Sequence, residues 1–227
     1  MRRPGGRQQI PRPAAWRAGP AAPWVGTAAS LSAAEVVDAL HARELPADVL
    51  PMFPGARPSA VLIALRDGPH GAEVLLTRRS MNLRNHRGEI SFPGGRLDEG
   101  ETYEEAALRE AHEEVAMPPA SVDVVGRLLP LSTVVSLSYI VPVVGVLRDD
   151  PPLHPAAAEV DRLFWEPLAD LLVDGTYREE RWGTPPLDRP IYFFELDDET
   201  VWGATARMLH QLLRVAHRIV GPEPEAL

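Results

Sequence analysis

Between Phe92 and Met117 a glycine-rich turn runs directly into an acidic segment of helical periodicity, and this junction restricts the fold more than any other stretch. Thr102-Tyr-Glu-Glu105 has the pattern of a capping box, in which the threonine hydroxyl and the glutamate satisfy each other's backbone N–H groups. Gly100, among Asp98, Glu99 and Glu101, turns the chain into that N-terminus, where negative charge meets the positive end of the helix dipole. At about 100° per residue, Glu110 falls near 0°, Glu113 near 300° and Glu114 near 40°, so the three acids share one arc of about 100°. Leu108, Ala111 and Val115 fall on a neighbouring arc and are expected to face the core. The acids then stand at its edge.

Like charges spaced three or four residues apart on a helix repel by a few tenths of a kcal/mol per pair when exposed, and by more when partly desolvated. A divalent cation reverses that cost. Carboxylate oxygens in this number suit Mg²⁺ or Mn²⁺, which keep several waters and share ligation with substrate phosphates. The competing reading is a solvated acidic face paired with nearby arginines.

Composition narrows the field further. The 227 residues include no cysteine, which excludes disulfides, thiolate catalysis and Cys-based zinc sites. A net charge of −9 argues against nucleic-acid binding, which needs a basic face. No apolar run reaches the roughly 18–20 residues that span a bilayer. A cytoplasmic protein without membrane or nucleic-acid partners is the expectation, as a monomer or homodimer.

Residues 1–34 hold no Asp or Glu, five Arg and nine Gly or Pro. That composition predicts a flexible extension over residues 1–30, ahead of one domain at 31–221 and a tail at 222–227. A helix is expected from Ser32 to Arg43, then a proline-marked connector through Pro46, Pro51, Pro54 and Pro58. Short strands are expected at 60–65, 73–77, 89–92, 122–131, 138–147, 162–165 and 192–196, with a short helix at 167–173. The last helix is expected over Thr200–Val220, with Val201, Thr205, Met208, Leu209, Leu212, Val215, Ala216 and Ile219 at helical spacing and Gly221-Pro222 as its stop. This order predicts a mixed sheet covered by helices on both faces.

Gly95, five residues, Glu101, seven residues, Arg109-Glu110, Ala111, one residue and Glu113-Glu114 resemble the Nudix box, the signature of the Nudix hydrolases. Ala116 stands where that family usually has Gly, and Ala111 is smaller than its usual bulky aliphatic. The resemblance implies an α/β fold: a Nudix-type α/β/α sandwich with a mixed β-sheet and a loop–helix–loop catalytic motif. It implies hydrolysis of a nucleoside diphosphate linked to another group. By position it makes Glu110, Glu113 and Glu114 metal ligands, Arg109 the residue that orients them, and Glu101 the acid tied to that Arg. The carbonyl of Gly95 is a further candidate ligand.

A second pattern precedes the box: Leu75-Leu-Thr-Arg-Arg-Ser80, Arg84, Gly88 and Phe92-Pro-Gly94-Gly95. It is similar to the extra signature of coenzyme A pyrophosphatases within that family, as is Trp202-Gly-Ala-Thr-Ala206 near the end. Read from the residues, Arg78, Arg79, Arg84 and Arg87 with His86 make a basic run in an acidic chain. Carboxylates and metal alone cannot hold a polyanion, so cations must bind the remaining phosphate charge. Arg79, Arg84, Arg87, Ser80 and Gly94 are the candidate substrate contacts; the alternative is that these arginines pair with the acids of 98–105. The expected reaction is metal-assisted attack of water on a pyrophosphate, giving 3′,5′-ADP and 4′-phosphopantetheine from coenzyme A. Glu113 is the candidate general base, with Glu159 as the alternative from outside the helix. ADP-ribose, NADH or a dinucleoside polyphosphate are alternative substrates, and a catalytically silent nucleotide-binding domain is a third reading.

Overall fold

The computed structural model describes residues 3–26, 30–43, 51–133 and 137–219. Its strands are β1 (Trp16–Ala18), β2 (Arg57–Gly68), β3 (Gly71–Arg79), β4 (Ile90–Ser91), β5 (Gly94–Arg96), β6 (Val122–Arg127), β7 (Leu131–Thr133), β8 (Ser138–Leu147), β9 (Val160–Pro167), β10 (Tyr177–Trp182), β11 (Arg189–Glu195) and β12 (Thr200–Trp202). Its helices are α1 (Ala33–His41), α2 (Tyr103–Val115), α3 (Leu168–Leu171) and α4 (Gly203–Ala216).

The main sheet runs β4-β3-β2-β8-β6, with β5 also on β2, β7 on β8 and β9 on β3. It is mixed: β2 and β8 pair in parallel from Arg57↔Ser138 to Leu65↔Val146, and the other pairings are antiparallel. Strand parity sorts its two faces. Ala60, Leu62 and Ala64 of β2 with Leu75 of β3 pack on Ala106, Ala107, Ala111 and Val115 of α2. Ile63, Leu65, Val74 and Leu76 point the other way, into the core shared with α1, α4 and the second sheet. The expected α/β architecture, a mixed sheet with helices on both faces, is what the chain adopts. Ala111 is fully buried here.

Three expectations need correction. Residues 1–30 were expected to be a flexible extension, but residues 3–26 are packed along the second sheet, order β1-β10-β11-β12. The acid-poor arm matches an acid-rich surface: Arg3 pairs with Glu166 and Asp197, Arg12 with Glu180 and Arg17 with Asp188. Trp24, 2 % exposed, stacks on Phe194 and meets Tyr177 edge-on. The last helix was expected from Thr200, yet Thr200–Trp202 pairs with Phe193–Glu195 as a strand and α4 starts at Gly203, whose φ of +63° makes the break. It ends at Ala216; the expected Gly221-Pro222 stop, the 222–227 tail and the Pro46 part of the connector lie outside the described residues. The strand expected over 122–131 divides into β6 and β7. Among the described residues no helix is long and apolar enough to cross a membrane.

Candidate active site

Two glycines seat the turn that leads into α2. A Cβ on Gly94 would lie 2.3 Å from the carbonyl oxygen of Ala60, and one on Gly95 would lie 2.3 Å from a carboxylate oxygen of Glu110. Only the bare backbone lets β5 pair with Ser59–Val61 while Glu110 rests against it. The helix then starts at Thr102 with both halves of the capping box formed.

Arg109 ties loop to helix. Its guanidinium donates to both oxygens of Glu101 at 2.7 and 3.0 Å, to Glu110 at 3.0 Å, to Glu113 at 3.4 Å and to the carbonyl of Arg96 at 2.9 Å. A planar five-donor fork can serve that many acceptors at once; an ammonium cannot. These bonds hold the Arg109 charge well above the ordinary arginine range.

The three box acids separate by environment. The side chain of Glu114 is 4 % exposed, that of Glu110 17 % and that of Glu113 59 %. Reading all three as one half-buried arc therefore fails for Glu113. The reason is that α2 buries Ala106, Ala107, Ala111, Glu114 and Val115, so its packed face is centred close to Glu114 and leaves Glu113 outside. Burial pushes the Glu114 carboxyl up to about 7, against the pull of Arg79 and of the Gly94 N–H, and the charges of Glu110 and Glu159 add to the rise. Burial likewise raises Glu110, opposed by Arg109 and reinforced by Glu113 and Glu159. Glu159 thus acts on both inner acids from outside the helix.

Among the described residues no three His, Cys, Asp or Glu side chains already converge on one point as a metal cage would. The donor chemistry nonetheless fits a hard cation. Glu110 and Glu114 are desolvated, repel each other, lie on glycine backbone and are answered by Arg109 and by Arg79 at 3.8 Å from Glu114. Two carboxylates of this kind would suit Mg²⁺ or Mn²⁺, which take oxygen ligands and keep several waters.

Strand alternation divides the basic run. Arg79 faces Glu114. Its neighbour Arg78 points to the opposite face, where it and its register partner Arg162 both reach the buried carboxylate of Glu199, at 2.9 and 3.1 Å. Arg84 and Arg87 are exposed and make no ion pair or side-chain hydrogen bond among the described residues. The alternative pairing with residues 98–105 is not formed: Asp98 and Glu101 lie on Arg109, Glu104 on Arg127 and Glu105 on Thr102. Ser80, a candidate substrate contact, is wholly buried; its N–H donates to the carbonyl of Glu159 at 2.7 Å and its hydroxyl accepts from Asn82. That buried serine fixes Glu159 beside the site and has no surface to offer a ligand. The Gly94 N–H is already engaged by Glu114 at 3.3 Å. His86 bonds Glu89 at 2.9 Å. Glu199 and Gln8 escaped the sequence reading altogether, because no spacing connects them to the box. An open depression of about 450 Å³ lined by Arg66, Asp67 and Leu147–Asp150 holds none of these residues.

The family model described as NUDIX domain matches residues 56–186. The chain is 40 % identical over 164 residues to the uncharacterized Nudix hydrolase NudL of Escherichia fergusonii, covering 69 % of this chain and 81 % of that one. It is 38 % identical over 182 residues to the NudL of Pectobacterium atrosepticum, covering 77 % and 91 %. A solved MutT/nudix family protein from Enterococcus faecalis is similar at 18 % identity and a TM-score of 0.48, over 80 % of this chain and 68 % of that one.

Proposed function

The chain belongs to the Nudix family and is a Nudix pyrophosphohydrolase, and from that premise we propose that it cleaves the pyrophosphate of coenzyme A or its acyl derivatives. The products are 3′,5′-ADP and (acyl-)4′-phosphopantetheine. One observation carries the reading: Arg79 stands against Glu114 while Arg84 and Arg87, a few residues on, remain exposed with no protein partner among the described residues. Coenzyme A carries a 3′-phosphate besides its pyrophosphate, and spare guanidinium forks are the groups that grip such anions.

Glu110 and Glu114 would hold Mg²⁺ or Mn²⁺, with the Gly95 carbonyl and Glu113 as the remaining candidates from the box. A bound divalent ion lowers the pKa of water and screens phosphate charge. Arg109 keeps Glu110 in place and keeps Glu101 from competing for the cation. Arg79 neutralises charge next to Glu114 and would donate to a phosphoryl oxygen as negative charge builds. The proton of the attacking water goes to a carboxylate. Both Glu159 and Glu113 are exposed; Glu159 is favoured for that role, since its backbone is held by Ser80 and its charge acts on both inner acids, whereas Glu113 is turned toward Arg109.

ADP-ribose, NADH and dinucleoside polyphosphates share the chemistry and lack the 3′-phosphate. Measuring kcat/KM for coenzyme A and for its 3′-dephospho form separates the readings. A loss of efficiency without the 3′-phosphate supports the coenzyme A reading; equal values would overturn it. Retention of Glu110 and Glu114 in desolvated positions speaks against a silent nucleotide-binding domain. We assign residues 3–26 to the folded unit, a reading that the ion pairs of Arg3, Arg12 and Arg17 support.

A further inference from the structure

Glu199 is a buried carboxylate, 2 % exposed, at the turn between β11 and β12, and the reaction does not use it. Arg78 and Arg162 donate to one of its oxygens. The other oxygen accepts from the side-chain amide of Gln8, in the N-terminal arm. The same amide nitrogen donates to the carbonyl of Gly88 at 3.2 Å, and the Gln8 oxygen accepts from the Thr200 N–H at 2.8 Å. Gly88 closes the basic loop: its N–H donates to the Arg79 carbonyl at 3.0 Å, and the Arg79 N–H donates to the Glu89 carbonyl at 2.9 Å. Gly88 sits at φ +67° directly after Arg87. One glutamine therefore joins the arm, the buried carboxylate and the base of the loop that carries Arg84 and Arg87. The arm is held on both sides of it, before it by Arg3 on Glu166 and by the Gly5 and Gly6 N–H groups on Leu196 and Thr200, and after it by Arg12 on Glu180.

We infer that Gln8 is a positioning residue for substrate binding: by holding the Gly88 carbonyl and Glu199 together, it sets the placement of the basic loop against the carboxylate helix. The inference rests on the reading that this loop grips substrate phosphate. The loop is pinned near its start by the Met81 N–H on Asp161 and at its end by Gly88, whose carbonyl accepts from Gln8 of the arm, so Gln8 governs the end that carries Arg87. Gln8 touches no reacting atom. Its loss should weaken substrate capture and leave the chemical step alone.

The test uses the full chain with coenzyme A and Mg²⁺. Gln8→Met keeps the volume of the side chain and removes its hydrogen bonds; Gln8→Ala removes both. Of the three bonds removed, the one to the Gly88 carbonyl reaches the loop, and losing a bond of that kind corresponds to roughly a fivefold rise in KM. The expected result is that rise with kcat within about twofold, measured at a temperature where each variant remains folded. Unchanged KM in Gln8→Met, or kcat and melting temperature falling together, would overturn the inference. Arg84→Ala/Arg87→Ala serves as the reference. If KM rises there and not in Gln8→Met, Gln8 has no positioning role. If KM is unchanged in the arginine variant itself, the substrate-loop reading fails and this inference with it.

Discussion

The guanidinium of Arg79 stands 3.8 Å from the carboxylate of Glu114, bridging the last residue of β3 and the last turn of α2. That pair joins the two halves of the site, the cation run and the acidic helix. It also leaves Glu114 buried with incomplete compensation, and this has a pH signature.

Because burial holds Glu114 at about 7 against an ordinary value of 4.5, the folded state keeps a proton that the unfolded chain sheds. Its contribution to stability is fully present below pH 4.5 and is lost as pH rises through about 7, at about 1.4 kcal/mol per unit and about 3 kcal/mol in all. Urea melts with a chelator should show wild type and Glu114→Gln converging at pH 4.5 and the variant the more stable at pH 8. Mg²⁺ should restore wild type alone. Parallel pH profiles would exclude a desolvated Glu114.

The assignment of Glu159 over Glu113 separates in turnover. Removing a general base costs about 10²–10⁴ in rate. Glu159→Gln should lower kcat into that range with KM little changed, and Glu113→Gln should lower it by less. Rapid-quench rates of single turnovers check this; the reverse order would return the role to the helix.

Ala116 closes α2 at φ 56°, ψ 28°, a left-handed conformation that costs an L-residue with a Cβ about 1–2 kcal/mol. Ala116→Gly relieves that strain and adds entropy to the unfolded chain, which offsets part of the gain. A net stabilisation of about 0.5–1 kcal/mol is expected, or a rise in Tm of about 1–4 °C. Activity should not change. Calorimetry at fixed Mg²⁺ is the check.

The arm belongs to the fold, so cutting its anchor should be felt globally. Trp24 packs among Tyr177, Phe194 and His210, and Trp24→Ala should cost about 3–5 kcal/mol. Chemical denaturation measures it; a cost under about 1 kcal/mol would return the arm to a loose extension.

Much of this was legible in the chain. Ser32 with Glu35, Thr102 with Glu105 and the apolar run of 138–147 announced α1, α2 and β8 through local rules that tertiary contacts did not override. Tyr177-Arg-Glu-Glu-Arg-Trp182 does not read as a strand, because ion pairs with Arg12, Asp188 and Glu195 supply what apolar alternation usually signals. The arm was hidden for the same reason: its partners are carboxylates far away in sequence. Within the site, the acid spacing indicated a cation, but helix periodicity could not tell which acid would be buried. That depended on the small Ala106, Ala107 and Ala111 face lying flat on β2. The opposite fates of Arg78 and Arg79 follow from strand parity once β3 is known to extend to Arg79.

The central claim is tested most directly by incubating wild type and Glu114→Gln with coenzyme A and Mg²⁺ or Mn²⁺ and separating the products. The account predicts 3′,5′-ADP and 4′-phosphopantetheine in equal amounts from wild type, and at least about a hundredfold less from the variant with its fold intact. No nucleotide release from wild type at any metal concentration, or equal release from both, would contradict it.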